Sequence, residues 1–426
     1  MLWLPPRMRR SPLAILFITV FVDLLGFGIV IPFMAYTVES FGASAGVVGL
    51  LVSTYSLAQF VFAPLWGRLS DRVGRRPILL LGLLGSTAGY FLFGAAGSLL
   101  MLFAGRIVAG IAGSTISTAQ AYIADVTTPE NRAKGMGLIG AAFGLGFIVG
   151  PALGGILAPL GRPLADALDG TPLAPLGAIL RHHPYALPCL LASALSGFDF
   201  LAAIFLLPES LSPELRAQAL ARDRGNRFAA LKEALADPAL GRLVGTFFLF
   251  LLGFSMMEAT LTLLVENRLG GADAASHLVL VRRVGYLFAT IGVISALLQG
   301  GLVGPLSRRF GERRLLQAGL LVGALAMALL PLWTQWGGYF LGCGVLSMGS
   351  GLVNPTNASL ISRAARRDGQ GQTLGVSQSA GSLARVLGPV VGGELFQHAG
   401  PAAPYVAAAG LVAAAAAVAW RVPRAQ

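Results

Sequence analysis

Long apolar runs separated by short polar segments make up most of this chain. A helix of roughly 20 apolar residues crosses the ~30 Å hydrocarbon core of a bilayer, so each run predicts one membrane-spanning helix. The pattern predicts an all-α membrane protein with twelve spans and both termini on one side. The predicted spans are 12–36, 46–66, 78–97, 99–123, 135–159, 185–207, 240–264, 285–306, 314–334, 337–360, 373–397 and 402–421.

Composition and charge support this prediction. The chain is 55% hydrophobic and 12% charged, as expected of an integral membrane protein. Its net charge of +12 does not indicate nucleic-acid binding, because 24 of the 31 Lys and Arg residues fall on the side shared by both termini. By the positive-inside rule, both termini are cytoplasmic in a multi-pass protein of the cell (inner or plasma) membrane. The basic start followed by a long run predicts an uncleaved first span rather than a signal peptide.

Two pairs of motifs indicate an internal duplication. The segment Gly67–Arg76 is repeated as Gly304–Arg313 at an offset of 237, with Gly, Leu, Ser, Arg, Gly and Arg in register. Gly150–Gly155 is repeated as Gly388–Gly393 at an offset of 238. Such repeats predict two pseudo-symmetric six-helix bundles. We place them at residues 1–207 and 239–426, joined by a cytoplasmic linker at 208–238 with a short amphipathic helix near 228–235.

Five charged residues fall inside predicted spans. Each costs at least ~2.5–3.5 kcal/mol to insert, so each is a functional candidate. All four histidines lie in outer loops or at an outer helix end, which leaves carboxylates to carry protons within the bilayer. The alternative is a permanent ion pair, such as Asp23 with Arg106, that only positions helices. The five residues are Asp23, Arg106, Asp199, Glu258 and Arg385.

Glycine and proline mark two spans as unusual. Gly26, Gly28 and Pro32 predict a bent first span that lines the protein interior. The fifth span has small-residue stripes, including Gly144, Gly150 and Gly154, that let a neighbouring backbone approach closely. These stripes fit helix packing alone and a gating role equally well.

Polar side chains inside other spans are candidates for lining a substrate cavity, because spans that carry them cannot face lipid all round. These candidates are Tyr55, Gln59, Gln120, Tyr122, Asn354, Asn357, Gln378 and Arg385.

No metal, cofactor or enzyme chemistry is predicted. Cys189 and Cys343 lie in different spans and are interpreted as packing residues. The pair His182 and His183 lies near two aspartates in the long outer loop 161–184, but adjacency alone is not a metal-ligand spacing. The chain has no phosphate-binding Gly-x4-Gly-Lys-[Ser/Thr] loop and no Ser/His cluster within the bilayer.

The motifs resemble those of the major facilitator superfamily, and specifically its drug:proton antiporter-1 family near the tetracycline-efflux proteins. Gly67–Arg76 is similar to the signature of loop 2–3, and Arg106–Gly110 to the arginine motif of span 4. Gly144–Gly155 resembles the antiporter motif of span 5, and Asp23–Pro32 the motif of span 1. The likeness is strongest from about residue 23 to residue 157.

The resemblance implies a central cavity formed by spans 1, 4, 7 and 10, which alternately opens to each side. Asp71 is expected near the N-terminus of span 11, and Arg75 is expected to pair with Asp125. Because Arg308 occupies the position of Asp71 in the second copy, this gate is not expected to be mirrored there. The gating residues implied are Gly67, Asp71, Arg72, Gly74, Arg75, Asp125, Gly144, Gly150, Pro151 and Gly154.

The leading functional prediction is a monomeric secondary active transporter that exports a small amphipathic organic compound in exchange for protons. The alternatives are a proton-coupled symporter for a sugar or organic acid, and a non-transporting receptor on the same fold. A metal–tetracycline substrate is not expected, because Gly89 stands where tetracycline-efflux proteins carry an acid.

Overall fold

The structure, a computed structural model, describes residues 12–127, 129–183, 185–211, 237–270, 274–364 and 370–422. These ranges are helical apart from short turns, and they contain no strand. The amphipathic helix predicted at 228–235 lies outside the described residues.

Each predicted span of the first half is present as helix, but some bounds differ. The second continues to Val73 rather than 66, the fifth begins at Pro129 rather than 135, and the fourth is divided into two helices. Short helices occupy the long loop. The helices of the first half are α1 (Pro12–Ile29), α2 (Met34–Glu39), α3 (Ala45–Val73), α4 (Arg75–Gly94), α5 (Leu99–Gly113), α6 (Ile116–Val126), α7 (Pro129–Leu157), α8 (Gly161–Ala167), α9 (Ala174–His182) and α10 (Ala186–Leu206).

The second half is built in the same way from long helices. They are α11 (Pro238–Leu269), α12 (Ala274–Leu297), α13 (Val303–Phe310), α14 (Glu312–Leu329), α15 (Trp336–Ala364), α16 (Gln370–Ala399) and α17 (Ala403–Trp420).

Ten segments of the described chain are long and apolar enough to cross a membrane. The helices α15 and α16 are 29 and 30 residues long, but their glycine, serine and other polar residues lower their hydropathy. Large apolar side chains point outward, as in Phe205, which is 84% exposed, and Leu100, which is 80% exposed. Such a surface fits a lipid environment.

A short 3₁₀ turn interrupts the first span. The bend predicted in the first span is present, because Pro32 lies in a 3₁₀ turn, Ile31–Phe33, between α1 and α2.

The eighth span was predicted to begin at residue 285, which is later than the helix begins in the structure. Helix α12 begins at Ala274, so Arg282 and Arg283, predicted in a loop, lie within it. Hydropathy marks the lipid-facing stretch, whereas backbone hydrogen bonding continues through polar residues.

The two repeated loops have the same backbone conformation. Helix α3 ends before Gly74, whose φ of 113° is in the region that favours glycine, and Gly74 N donates to Ser70 O at 3.1 Å. Helix α13 ends before Gly311, whose φ is 82°, and Gly311 N donates to Ser307 O at 3.0 Å. Corresponding sequence positions in the two loops are therefore corresponding positions in space.

The two halves meet through helix pairs α3–α16 and α7–α12. We call the end with residues 67–76 and 304–314 the charged end, and the end with residues 158–183 the loop end. Glycines allow close approach toward the loop end, where a Cβ built on Gly155 would lie 2.8 Å from Gly285 Cα.

Candidate functional site

Asp23 is buried in α1 and held by the neighbouring helix α4. Its Oδ1 accepts a hydrogen bond from Ser86 Oγ at 2.9 Å, and its backbone carbonyl accepts one from Tyr90 OH at 3.1 Å. A cavity of about 10 Å³, the size of one water molecule, borders Asp23, Ser86 and Thr19. Asp199 of α10 lies beside Thr19.

The ion pair expected between Asp23 and Arg106 is absent from the described residues within 4 Å. The guanidinium of Arg106 instead stacks on aromatic rings, with its Cζ 4.6 Å from the ring centroid of Tyr55 and 5.6 Å from that of Phe27. Ser86 donates to one oxygen of Asp23, whereas the other oxygen, Oδ2, has no hydrogen-bond partner among the described residues. Arg106 Nε and Nη1 have no hydrogen-bond partner in the described part of the chain.

The second half contributes two charged groups to the same centre. Glu258 of α11 and Arg385 of α16 are half-buried and form no ion pair within 4 Å in the described ranges. Glu258 is within electrostatic reach of both Arg385 and Arg106. Charged side chains from both halves therefore face one interior region without direct pairing in this conformation.

The predicted cavity residues separate into three groups. Tyr55 stacks on Arg106, and Gln59 Nε2 donates to Gly113 O at 3.1 Å. Gln120, Asn354 and Gln378 are exposed, whereas Asn357 is only 1% exposed.

The prediction for Tyr122 is wrong. Its ring packs among Leu79, Leu83 and Ile123, and its hydroxyl donates to Pro208 O at 2.9 Å. A tyrosine in a span can line a cavity or pack in the core with its hydroxyl hydrogen-bonded, and the sequence does not distinguish the two. Tyr122 is a core residue.

At the charged end, Asp71, Arg75 and Asp125 form a network that we call the first charged cluster. Arg75 Nε donates to Asp125 Oδ2 at 3.1 Å, and Arg75 Nη1 donates to Asp71 Oδ1. The pair of Arg75 with Asp125 is the one that the resemblance implied. Arg72 is exposed, and the residues that precede α16, where Asp71 was expected to dock, lie outside the described ranges.

Glu209 is a residue of this network that the sequence analysis assigned only to the linker. Its Oε1 accepts from Arg75 N at 2.9 Å and its Oε2 accepts from Arg76 N at 3.2 Å, so it caps the N-terminus of α4. Glu209 is far along the chain from α4, so no sequence spacing indicates that it caps this helix.

The second half repeats one ion pair of this network. Arg363 Nη2 donates to Glu312 Oε1 at 3.0 Å, and Ser359 Oγ donates to the same oxygen at 2.8 Å. Glu312 corresponds to Arg75, and Arg363 corresponds to Asp125 at an offset of 238. The ion pair is therefore repeated with its charges exchanged, which the comparison of Arg308 with Asp71 alone did not reveal.

The glycine stripe of α7 packs against α1, but with one correction. A Cβ on Gly150 would lie 2.7 Å from Leu25 O, and Gly154 approaches the carbonyl of Ile29 even more closely. Gly146 belongs to this stripe, whereas a Cβ on Gly144 would meet no described atom within 4 Å. Gly144 is two residues from Gly146 and six from Gly150, so it lies on a different face of α7 from the glycines that contact α1.

Pro151 completes this contact, because a Cβ built on Gly28 would lie 3.0 Å from Pro151 Cδ. The antiporter-like motif of α7 therefore fixes the distance between spans 1 and 5.

Hydrogen bonds join the two halves toward the loop end. Gly46 N donates to Gln397 Oε1 at 3.1 Å, and Ser53 Oγ donates to Val386 O at 2.6 Å. At the charged end, a Cβ built on Gly67 or Gly304 meets no described atom within 4 Å.

An ion pair joins two parts of the long loop. Arg181 donates hydrogen bonds to Asp169, which hold the pKa of that exposed carboxyl below its usual value. Among the described residues, no group of three or more potential metal ligands occurs.

Comparisons with known proteins agree with this geometry. The family model of the Major Facilitator Superfamily matches residues 16–389 and 272–426. Tetracycline resistance protein, class C, of Escherichia coli is 33% identical over 385 residues, which cover 90% of this chain and 89% of that protein.

Two solved structures are also similar. The human organic anion transporter MFSD10 (TETRAN) is 27% identical, with a TM-score of 0.66 over 98% of this chain and 100% of that chain. A bacterial homolog of the human lysosomal transporter Spinster, inward-facing and occupied, shares the fold with a TM-score of 0.78 and 17% identity, over 97% of this chain and 96% of that one. The chain therefore belongs to the Major Facilitator Superfamily, a family of membrane transporters and not of enzymes.

Proposed function

We propose that this protein exports a small amphipathic organic compound in exchange for protons. Two six-helix bundles, residues 1–207 and 239–426, rock about a central cavity, with α15 and α16 as the tenth and eleventh of twelve spans. The length of these two helices and the repeated loops support that count. Similarity to a tetracycline resistance protein supports export.

One observation carries this proposal: among the described residues, the hydrogen bonds that join the two halves, from Gly46 N to Gln397 Oε1 and from Ser53 Oγ to Val386 O, both lie toward the loop end. We assign the charged end to the cytoplasm, because most basic residues fall there. This conformation is then the inward-facing form of an alternating-access cycle. Closure at one end with an opening at the other is what such a cycle requires.

Proton coupling is assigned to carboxyls on both sides of the cavity. Asp23 has a hydroxyl partner and a water-sized cavity beside it, and Asp199 lies beside Thr19, which lines the same cavity. Glu258 faces the two arginines of the centre. Gaining or losing a proton on these groups changes the charge balance around Arg106, which favours one arrangement of the bundles over the other.

The test is transport in proteoliposomes with an acidic lumen, using tetracycline and permanently charged fluorescent compounds. Antiport predicts protein-dependent accumulation on the acidic side, whereas symport predicts accumulation on the alkaline side. Protein-free liposomes control for passive trapping of weak bases. Absence of any gradient-driven movement across the panel, from protein that is folded by thermal unfolding, would count against a transporter of this kind.

A further inference from the structure

A cavity of about 200 Å³ lies at the loop end of the first half. It is bounded by α2 and the 3₁₀ turn before it, by the turn between α4 and α5, and by the start of α10. Because a cavity of about 150 Å³ accommodates benzene, this one has room for a compound of one or two rings. We call it the loop-end cavity, and its lining includes Phe33, Thr37, Ser40, Phe93, Gly97 and Cys189.

The loop-end cavity has a buried floor and an exposed rim. Phe33 and Cys189 are fully buried. A Cβ built on Gly94 would lie 2.8 Å from Cys189 Cβ, so α4 and α10 are in close contact at the floor. Ser40 and Gly97 are exposed, and a Cβ on Gly97 would meet no described atom within 4 Å. The rim therefore leaves a path from the surface to the floor.

Aromatic rings border this cavity. The rings of Phe33 and Tyr185 stack, with centroids 5.7 Å apart and planes 14° apart. The ring of Phe41 packs against the imidazole of His183, with centroids 6.1 Å apart. Such rings favour an aromatic ligand, which can stack on one and meet the edge of another. No lysine, arginine, aspartate or glutamate is among the described residues that line the cavity, so a neutral ligand is favoured.

Two hydroxyl groups of the lining determine which polar group the ligand carries. Thr37 Oγ1 donates to Phe33 O at 3.0 Å, and Ser40 Oγ donates to Thr37 O at 2.7 Å. Both hydroxyl protons are therefore used within the backbone of this segment, while the oxygen lone pairs can still accept. A ligand with an O–H or N–H donor satisfies them, whereas a ligand with acceptors alone does not.

We infer that the loop-end cavity is a binding site for a neutral aromatic compound of one or two rings that carries an O–H or N–H donor, such as a phenol or an indole. Its lining belongs wholly to the first half and includes neither Asp23 nor Arg106. Occupation of the cavity requires no separation of the halves, so the inference goes beyond the proposed transport and does not depend on it.

The thiol of Cys189 reports occupation, because Cys189 lines the floor of the cavity. Cys343, equally buried but in the second half, is the matched control. The single-cysteine variants Cys343→Ala and Cys189→Ala are placed in lipid nanodiscs, and alkylation by N-ethylmaleimide is followed by mass spectrometry. At ten times its Kd, indole should slow alkylation of Cys189 about tenfold, because the rate follows the unoccupied fraction. The rate at Cys343 should not change.

The donor is tested with N-methylindole, which keeps the rings but has no N–H group. It should bind about fivefold more weakly than indole, as expected for the loss of one hydrogen bond. Thr37→Val removes an acceptor while keeping a similar shape. This variant should weaken the protection given by indole and leave that given by N-methylindole unchanged.

A cavity-filling variant tests the location. Gly97→Leu should slow alkylation of Cys189 without any ligand and remove further protection by indole. Gly337→Leu, at the start of α15 and also in open space, should leave both unchanged.

Two results would overturn the site, whether or not proton-driven transport is found. If Cys189 is not alkylated in the absence of ligand, the cavity cannot be reached from the surface. If octanol protects Cys189 as well as indole does, the cavity holds an acyl chain rather than an aromatic donor.

Discussion

Asp23 accepts a hydrogen bond from the neutral hydroxyl of Ser86. Replacing Asp23 with asparagine should therefore remove the charge while leaving the packing intact. We expect Asp23→Asn to lose accumulation driven by a pH gradient, because the amide cannot release a proton. It should retain substrate binding and some substrate–substrate exchange. Both are measured in proteoliposomes beside Glu258→Gln. If Asp23→Asn concentrates substrate as well as the unaltered protein, the coupling role belongs to Glu258 or Asp199.

The planar shape of the Arg106 side chain matters as well as its charge, because its guanidinium stacks on Tyr55. Lysine keeps the charge but not the flat face. We expect Arg106→Lys to lower transport by about tenfold, because a desolvated cation–π contact contributes about 2 kcal/mol. Tyr55→Phe keeps the ring and should retain most activity, whereas Tyr55→Leu should lose it.

The control for this pair is Arg283→Lys, because Arg283 stacks on Trp336 at 5.0 Å outside the central cavity. Equal losses in Arg106→Lys and Arg283→Lys would mean that stacking supports folding in general and has no special role at Arg106.

The positions of the buried charges could be predicted from the sequence, but their partners could not. A charged residue interrupts an apolar run and is therefore visible, as with Asp23 and Arg106. Ser86 and Glu209 gave no signal, because a serine in a span and an acid in a linker are common. Partners depend on helix rotation and depth, which hydropathy does not encode.

At the scale of elements, the contact of α7 with α1 depends on glycines at particular registers. We expect Gly150→Leu to abolish transport, because its side chain would enter the space of Leu25 O and Gly28 Cα. Overpacking of this kind costs about 1–3 kcal/mol, which thermal unfolding of the purified protein measures. Gly144→Leu, on the same helix in open space, should behave as the unaltered protein.

If Gly150→Leu and Gly144→Leu transport and unfold alike, the α1–α7 contact is not a constraint on the cycle.

The difference between Gly150 and Gly144 shows how much of this contact the glycine spacing in the sequence could predict. It identified α7 as a close-packing helix, but assigned Gly144 to the stripe, because small residues every four positions form more than one face and spacing does not say which face is covered.

On the scale of the whole molecule, duplicated motifs predicted two related halves, and the repeated glycine turns support that prediction. Which end is closed could not be read from the sequence. In the proposed cycle, the inward-facing and outward-facing arrangements differ in which ends of α3, α7, α12 and α16 approach each other, and hydropathy carries no signal for that difference.

The last prediction concerns whether the two halves separate at the loop end during transport. Gly46 and Gln397 belong to different halves and are joined by a hydrogen bond of 3.1 Å at the loop end. With Cys189 and Cys343 replaced by alanine, we expect Gly46→Cys and Gln397→Cys to react readily with a short thiol-specific cross-linker. The cross-link should stop transport, and reduction should restore it, because the loop end must open in every cycle.

A cross-link between Asp169→Cys and Arg181→Cys provides the control. These residues also lie at the loop end and are joined to each other, but both belong to the first half. Linking them holds no interface between the halves, so transport should continue. Should the Gly46–Gln397 cross-link leave transport unchanged, the two halves do not separate there, and rocking of rigid bundles is not the motion that this protein uses.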